Sequence, residues 1–150
     1  MAQAKTVRFS GLRVLLGDDE EPEVFAAPCG FTERSLTLSK ELGSTNVPDC
    51  TDEDAAPWTE RDVTSKSAEI GGQGVLDITA LAVWQERFAS DASGNARVEV
   101  WRAGVMIGHW LGAFHLESLE IGATQGERAT IQVSMQSDGA VTWVEGDDGD

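Results

Sequence analysis

The sequence has 150 residues, 41% of them apolar, and its 26 acidic residues against 11 basic ones give a formal net charge of −15. A chain of this length can bury enough surface for one compact domain, so we expect residues 1–150 to form a single domain. The negative charge argues against adhesion to nucleic acid or to anionic membranes. No apolar run is long enough to span a bilayer, and residues 1–16 lack the continuous apolar stretch of a secretory signal, so we expect synthesis in the cytoplasm.

Short segments with strand character dominate the sequence and are separated by Gly, Asp, Asn or Pro. Leu36 and Leu38 alternate with Ser and Thr, and Ile131 and Val133 alternate with Gln and Ser, which predicts strands with one buried face. The short link 137–140 contains Asp-Gly, which predicts a hairpin between the last two strands. The fold is predicted to be mainly β, with strands at residues 5–16, 34–40, 62–70, 96–102, 128–136 and 140–144.

One segment has helical rather than strand spacing. A single helix is predicted at residues 78–90, with Asp77 as its N-cap and Gly94 beyond its end. Val83 and Trp84 lie off the apolar stripe, where polar residues are usual, so they either touch a neighbouring molecule or are wrapped by loops of the same chain. The stripe that predicts the helix consists of Ile78, Leu81, Ala82, Gln85, Phe88 and Ala89.

The segment 41–59 is polar, contains two prolines and has few periodic residues, which predicts a long irregular loop. Loops of this length inside compact domains are commonly functional or become ordered by a partner. The strand that follows, residues 60–69, is polar on both alternating sets of positions. Such a strand is typical of a solvated hairpin arm or of the wall of a water-filled passage.

Acidic residues concentrate in three clusters. The first cluster, within residues 18–23, is predicted to lie in a turn between strands. The second, within 49–54, belongs to the predicted loop. The third, within 145–150, is interspersed with glycine and predicts a flexible acidic tail.

No group of residues has the pattern of a catalytic, cofactor-binding or metal-binding site. Cys29 and Cys50 are expected to be reduced thiols, because two cysteines without a signal peptide are seldom bridged, and neither has a nucleophile signature around it. His109, His115 and Glu117 would share one face of an alternating strand, but their spacing is not a known zinc pattern. We therefore expect neither an enzyme nor a cofactor.

A carbohydrate-binding β-sandwich is an alternative that the tryptophans keep open. The chain has five Trp and no Tyr, and Trp101 and Trp110 are the candidates for an exposed sugar-binding face. The five are scattered along the chain, however, and Trp is also enriched in protein interfaces. This alternative predicts a sugar-dependent change in Trp fluorescence and no self-assembly.

Four segments together carry a family resemblance: PCGFTERSLTLS at 28–39, VPDC at 47–50, APWTER at 56–61 and SAEIGGQGVL at 67–76. In this order they resemble the major tail proteins, or tail tube proteins, of long-tailed phages and gene transfer agents. The resemblance is densest from residue 29 to 76 and weaker towards the end of the chain. It implies a β-sandwich with one flanking α-helix, six subunits to a ring, and rings stacked into a tube.

The resemblance also assigns roles to the two unusual segments. The loop 41–59 matches an arm that reaches the adjacent ring, and the strand 60–69 matches the wall of a barrel that the strands of neighbouring subunits form around the ring. Glu60 and Asp62 are the candidates for facing the lumen, which would be an acidic channel that double-stranded DNA crosses without adhering. The residues expected at the contact between stacked rings are Val47, Pro48, Asp49, Asp52 and Trp58.

The function expected from the resemblance is that of a structural tail tube subunit. Its partners would be further copies of itself and other tail proteins (terminator, baseplate and tape measure), with no membrane, and its location the host cytoplasm during assembly and then the particle tail. The tube protein of a contractile injection system would share this architecture and is the nearer alternative. The sequence does not distinguish a phage from a gene transfer agent.

Overall fold

The computed structural model describes residues 3–17 and 25–146. Over these residues the fold is mainly antiparallel β with one α-helix, as the sequence predicts. The elements in chain order are a 3-10 turn at Phe9–Gly11, β1 (Leu12–Gly17), β2 (Phe25–Ala26), β3 (Phe31–Val47), β4 (Trp58–Val75), α1 (Ile78–Ala89), β5 (Gly94–Arg102), β6 (Val105–Gly122), β7 (Thr130–Ser137) and β8 (Thr142–Glu145).

The strands form one hydrogen-bonded sheet in the order β2-β1-β5-β6-β7-β4-β3, and β8 pairs with β6. The sheet folds over on itself, because strands near both ends of this order supply the same core. Val14 of β1 and Ile70 of β4 belong to one cluster of buried side chains. Arg34 of β3 donates a hydrogen bond to the carbonyl of Leu12 in β1. The two halves of the sheet therefore face each other as the layers of a β-sandwich.

The helix α1 flanks this core and begins where the sequence predicts. The side chain of Asp77 accepts a hydrogen bond from the N–H of Ala80 at 3.1 Å, which satisfies one of the free donors of the first turn. Trp84 is only 1% exposed and packs edge-on against the ring of Phe31, with 5.9 Å between the ring centroids. A buried Trp in this geometry anchors the helix to the base of β3.

The side of α1 that faces the core is not the predicted apolar stripe. Ile78 is 73% exposed and Phe88 is 53% exposed, whereas Ala80 and Trp84 are buried. The helix is thus rotated so that much of its apolar stripe points away from the core. Of the two interpretations offered for Trp84, packing within its own chain is correct, while Val83 stays 41% exposed.

The last two strands do not form the predicted hairpin. β7 pairs with β6 as far as Ser137 opposite Phe114, and β8 continues along β6 with Thr142 opposite Leu111. Residues 138–141 therefore interrupt one line of pairing and do not reverse the chain. The hairpin prediction is wrong because both edges of β7 are already occupied, one by β6 and the other by β4.

Two predicted boundaries also move. The first strand begins at Leu12 and not at residue 5, because a 3-10 turn precedes it. Glu145, predicted to belong to a flexible acidic tail, instead pairs with Gly108 as the last residue of β8. Residues 147–150 and the acidic cluster at 18–23 lie outside the described residues. Within the described ranges, no helix is both long and apolar enough to cross a membrane.

The capping contact of α1 gives a first testable prediction. Replacing Asp77 by Ala removes the acceptor for the Ala80 N–H. We expect the free energy of unfolding of the monomer to fall by about 1 kcal/mol, the usual effect of losing an N-cap side chain. Chemical denaturation followed by circular dichroism measures the loss. The matched control is Asp91→Ala, an exposed acid just after the helix, which should leave the midpoint unchanged; equal effects of the two substitutions would contradict the capping role.

Candidate assembly interface: the projecting hairpin

A hairpin of two strands projects from the sandwich and is its most unusual feature. β3 and β4 pair along their whole length, with register irregularities only between Phe31 and Glu33 and between Glu41 and Leu42. The outer ten pairs run from Leu38/Ala68 to Val47/Trp58. At about 3.3 Å per residue this part, residues 38–68, is about 30 Å long. We call it the arm. β7 accompanies β4 only from Glu69 to Val75, so the arm has no third strand beside it among the described residues.

The arm corrects the prediction of an irregular loop over residues 41–59. β3 continues to Val47 and β4 begins at Trp58, so only residues 48–57 connect the strands. The extension of β3 and β4 into the arm could not be recognised from the sequence, because most of its side chains are exposed. A ribbon that is solvated on both faces needs no alternation of apolar and polar residues. Two polar contacts across it, Thr59 to Asn46 at 2.9 Å and Ser65 to Glu41 at 3.3 Å, replace apolar packing.

Both edges of the arm present unpaired backbone groups. β3 ends the strand order of the described sheet, and its 17 residues are far more than the five or six of an ordinary strand. A long open edge is a template for pairing with another chain. A two-stranded ribbon is also only marginally stable alone in water. The arm therefore has free backbone groups that can pair with a strand of another chain, and such pairing would stabilise it.

A β-bulge decides which side chains share a face of the arm. Glu41 is opposite Ser65 but Leu42 is opposite Val63, so Thr64 is an extra residue on β4. Thr64 and Ser65 lie on the same side: Ser65 contacts the Glu41 carboxylate, and a Cβ added to Gly43, next on that face, would stand 3.1 Å from the Thr64 methyl group. Beyond the bulge the alternation of β4 is shifted by one residue.

With this register, the charges of β3 and β4 separate completely. One face of the two strands carries all of their acids and the opposite face carries all of their bases, since cross-strand partners share a face and neighbours along a strand alternate. The acidic face bears Glu33, Glu41, Glu60, Asp62 and Glu69. The basic face bears Arg34, Lys40, Arg61 and Lys66.

The acidic face continues the outer, polar side of the sandwich. Glu69 accepts a hydrogen bond at 3.0 Å from Ser134, which lies between the core residues Val133 and Met135 and points away from them. Glu60 and Asp62, predicted to face a lumen, both belong to this face and are exposed. The structure thus brings the two predicted residues together and adds Glu33, Glu41 and Glu69, which sequence reasoning did not single out.

The basic face continues the side that is buried in the sandwich. Leu38 is opposite Ala68, which is 2% exposed, and further out the same face carries Leu42 and Val63, which are 55% and 48% exposed. At its base, burial and the nearby Arg13 both lower the pKa of Arg34. This mixed apolar and basic surface was missed by sequence reasoning, because the bulge had to be known before Arg61 and Lys66 could be placed on one face.

The residues predicted to contact an adjacent ring all lie at the tip of the arm. Val47 and Trp58 form its last cross-strand pair, and Trp58 is 85% exposed. Pro48, Asp49 and Asp52 follow in the connection. Large exposed aromatic side chains are frequent anchors of protein interfaces, so the geometry is consistent with a contact there.

Hydrogen bonds within the tip give it a local shape. Asp49 accepts bonds from the Thr51 N–H at 2.9 Å, the Thr51 hydroxyl at 2.8 Å and the Asp52 N–H at 3.4 Å. These bonds favour the carboxylate and lower the pKa of Asp49. The hydrogen bonds to the Asp49 carboxylate therefore stabilise the turn fully at pH values above the ordinary aspartate pKa. Their contribution to stability is lost as the pH falls through the lowered pKa of Asp49.

The other residues considered for chemistry lie apart from one another. Cys29 and Cys50 are free and exposed, and they stand at opposite ends of the β3–β4 hairpin. His109 is buried, whereas His115 is exposed beside Asp138 at 3.3 Å. Within residues 3–17 and 25–146, no three His, Cys, Asp or Glu side chains come together in a way that could hold a metal ion.

The predicted sugar-binding tryptophans do not form an exposed face. Trp101 donates a hydrogen bond to Glu99 at 2.8 Å and lies under the guanidinium of Arg13. Trp110 packs against the core and against Trp143, with 4.5 Å between ring centroids. The prediction that Trp101 and Trp110 form an exposed sugar-binding face is therefore wrong, because both side chains are partly buried and make contacts within the fold.

Comparison with solved structures shows the same fold in several assembled tubes. The tail of an empty gene transfer agent particle, solved with C6 symmetry, matches with a TM-score of 0.76 at 17% identity, over 93% of this chain and 99% of that one. The SPP1 tail tube matches with a TM-score of 0.66 at 9% identity, over 95% and 80%. A sheath–tube complex of the extracellular contractile injection system PVC matches with a TM-score of 0.60 at 14% identity, over 93% and 92%.

The fold is therefore that of tail tube subunits, a class of structural proteins. A family model described as phage tail tube protein matches residues 8–143, and the chain belongs to that family. The family resemblance read from the sequence is confirmed, and the protein is a structural tail tube subunit. A sequence comparison with curated proteins finds no match.

Proposed function

We propose that the protein assembles into hexameric rings that stack into a tube, and that the acidic faces of the arms line its channel. The observation that carries the proposal is the complete separation of acidic and basic side chains on β3 and β4. Sixfold symmetry is supported by the gene transfer agent tail of the same fold, which was solved with C6 symmetry. Each subunit contributes its whole described chain as a single tail tube domain.

The open edges of the arm support closure of a barrel around the ring. Pairing of β3 of one subunit with a strand of the next would satisfy the backbone groups that each subunit leaves free, and repetition around the ring removes every edge. The contact is head-to-tail, so it closes within a ring and stays open along the tube axis. The tip, with Val47, Pro48, Asp49, Asp52 and Trp58, contacts the adjacent ring.

The channel formed in this way carries double-stranded DNA during ejection from a phage or gene transfer agent particle. Basic side chains on the wall would bind phosphates through counterion release and retard the duplex. The acidic face has no Lys or Arg along β3 and β4, and it carries Glu60 and Asp62. A wall of this sign repels the duplex and leaves it free to slide, and the role needs no catalytic residue or cofactor.

Other tail proteins complete the particle. Chains of the same fold occur in solved structures of the tube-terminating cap and the baseplate of the anti-feeding prophage and of the sheath/tube terminator of the extracellular contractile injection system PVC. We assign to this protein the corresponding partners in its own tail, a terminator, a baseplate protein and a tape measure protein. The subunit is made in the host cytoplasm and then becomes part of the particle tail.

A tube of a contractile injection system is the second candidate, because the PVC tube shares the fold at a TM-score of 0.60. The two functions differ in cargo. The acidic channel described above favours DNA, the more densely charged cargo. Purification of native particles separates the candidates: DNA-filled heads favour the first, and a contractile sheath without a head favours the second.

Negative-stain electron microscopy of the purified protein tests self-assembly. We expect rings with sixfold symmetry at moderate concentration and tubes at higher concentration, because head-to-tail contacts along the axis do not close. Sedimentation velocity at the same concentrations measures the soluble species. A protein that stays monomeric at every concentration and salt would contradict the proposed function.

A further inference from the structure

Two surfaces of the subunit carry apolar side chains that no described residue covers, and the charged side chains beside them have opposite signs. The first is the outer part of the basic face of the arm: Leu38, Leu42 and Val63 are about half exposed, and Lys40, Arg61 and Lys66 surround them. No acidic side chain of β3 or β4 lies on this face. A surface of this composition fits a partner that is apolar and acidic.

The basic face also contains an arrangement that an isolated ribbon does not favour. Lys40 and Lys66 are directly opposite each other in the ladder. Like charges in a directly opposed cross-strand pair are destabilising. No acid on the same face of either strand offsets this repulsion. An anionic surface placed against the arm would offset it, because the two lysines would be attracted to that surface.

The second surface is the outward side of α1. Ile78 and Phe88 are 73% and 53% exposed, and Ala82 and Ala89 of the same stripe and Glu86 at its edge are also exposed. The opposite side of the helix is held in the core by Trp84. The apolar stripe that predicts this helix is therefore largely left for a contact outside the described chain.

We infer that the basic face of the arm packs on the outward side of α1 of a second copy of this protein. The inference rests on the proposed tube and names the surface that receives the arm. Within the described chain this contact is not made, because α1 packs beside Phe31, at the end of β3 away from the arm, and turns its apolar stripe away. In a head-to-tail contact, two different patches of the same chain must be complementary, and these two match in both charge and apolarity.

The dimensions of the two surfaces agree. The helix has 12 residues and is about 18 Å long. The arm offers about 30 Å of ribbon, so one helix covers the apolar part of the basic face and leaves the tip free. Arg61 then lies against Glu86, and Leu42 and Val63 lie against Ile78 and Ala82.

Charge reversal with rescue tests this contact. We expect Arg61→Glu to raise the protein concentration needed for tube assembly at least about tenfold, and Arg61→Glu with Glu86→Arg to restore it to within about threefold of the wild type. Both positions are exposed and outside the core, so the unfolding midpoints should stay the same. The control Lys5→Glu reverses an exposed charge outside both surfaces and should assemble normally.

Cysteine pairing gives a second, independent readout. In a background with Cys29→Ser and Cys50→Ser, subunits with Val63→Cys are mixed with subunits with Ile78→Cys under a mild oxidant. We expect a disulfide-linked dimer in the mixture and none in either variant alone. The control pair Val63→Cys with Glu127→Cys, which places the second thiol in an exposed turn away from α1, should not link.

The outcomes separate this inference from the proposed tube. If the wild type forms tubes while the rescue and the cross-link both fail, the tube stands and the inferred contact is wrong. Rescue of Arg61→Glu by Glu145→Arg and not by Glu86→Arg would place the arm on a different surface and also overturn it. If Arg61→Glu assembles normal tubes and loses only the attachment of another tail protein, that protein is the partner and the inference fails. If the wild type itself forms no tubes, the proposed function fails first and the contact with it.

Discussion

A protein whose arm has been shortened should fold as a stable monomer and form no tubes. The variant replaces residues 42–64 by Asn-Gly, a pair that favours a tight hairpin turn between Glu41 and Ser65, which are paired in the ladder. Every buried core side chain lies outside the removed segment, so the sandwich loses no packing. The removed segment contains the tip, the basic-face residues Leu42, Arg61 and Val63, and the two lumen candidates Glu60 and Asp62.

Thermal unfolding followed by circular dichroism and negative-stain imaging measure the two expectations on one preparation. We expect a midpoint within a few degrees of the wild type, because surface changes away from the core usually alter stability by about 0.5 kcal/mol or less. The matched control replaces only residues 53–56 by a Gly-Ser linker of equal length, which keeps both strands and the five tip residues, and should form tubes. Tubes of normal length from the shortened chain would show that the arm is not an assembly element.

Particles that carry Lys at positions 60 and 62 should build normal tails and deliver DNA poorly. The double substitution Glu60→Lys with Asp62→Lys changes two negative charges to two positive ones in every subunit, and the repeat along the tube multiplies the change. Phosphate contacts add up and weaken steeply with salt, so we expect delivery to fall at least about tenfold at low ionic strength and to recover in part at high ionic strength. Both positions are exposed, so folding should not suffer.

The neutral variant Glu60→Gln with Asp62→Asn is the control, because it removes the acids without adding phosphate ligands. It should deliver DNA close to normally. Retention of duplex DNA by purified tubes provides a second measurement that does not depend on infection. Normal delivery by the Lys variant at low salt, with normal tails, would mean that these two positions do not line the channel or that wall charge has no effect on passage.

The class of fold and the start of the helix could be predicted because both are local properties. Alternation around Leu36 and Ile131 predicts half-buried strands, and Asp77 before an apolar stripe predicts an N-cap. The central strand β6 was not predicted. Its two faces both carry apolar residues, such as Met106 and Ile107 or Trp110 and Leu111, and so no period of two is visible.

The partners of an element were harder to predict than the element itself. The stripe of α1 is present in the sequence, but an apolar stripe does not say whether its own chain or another molecule covers it. The extension of β3 to Val47 depends on pairing with β4, which is not a local property. The pairing of β8 with β6 depends on β7 having no free edge. Each of these is decided by tertiary contacts.

Because side chains alternate between the two faces of the arm, the faces on which its charges lie depend on whether β4 gains or loses an odd or an even number of residues. The bulge at Thr64 is the exception. If the side chains of β4 alternated strictly from Lys66 to Trp58, Asp62 and Glu60 would lie on the face of the lysines and Arg61 on the face of the acids. The extra residue at the bulge shifts the alternation by one position and prevents this mixing. Deleting Thr64 itself would therefore leave every charge on its present face. Deleting any single residue from 59 to 62 would exchange the faces of the residues between that point and Trp58. The arm should therefore tolerate insertions or deletions of two residues, or of one residue at the bulge. A change of one residue elsewhere would move acidic side chains from the proposed channel wall to the face that contacts the neighbouring subunit.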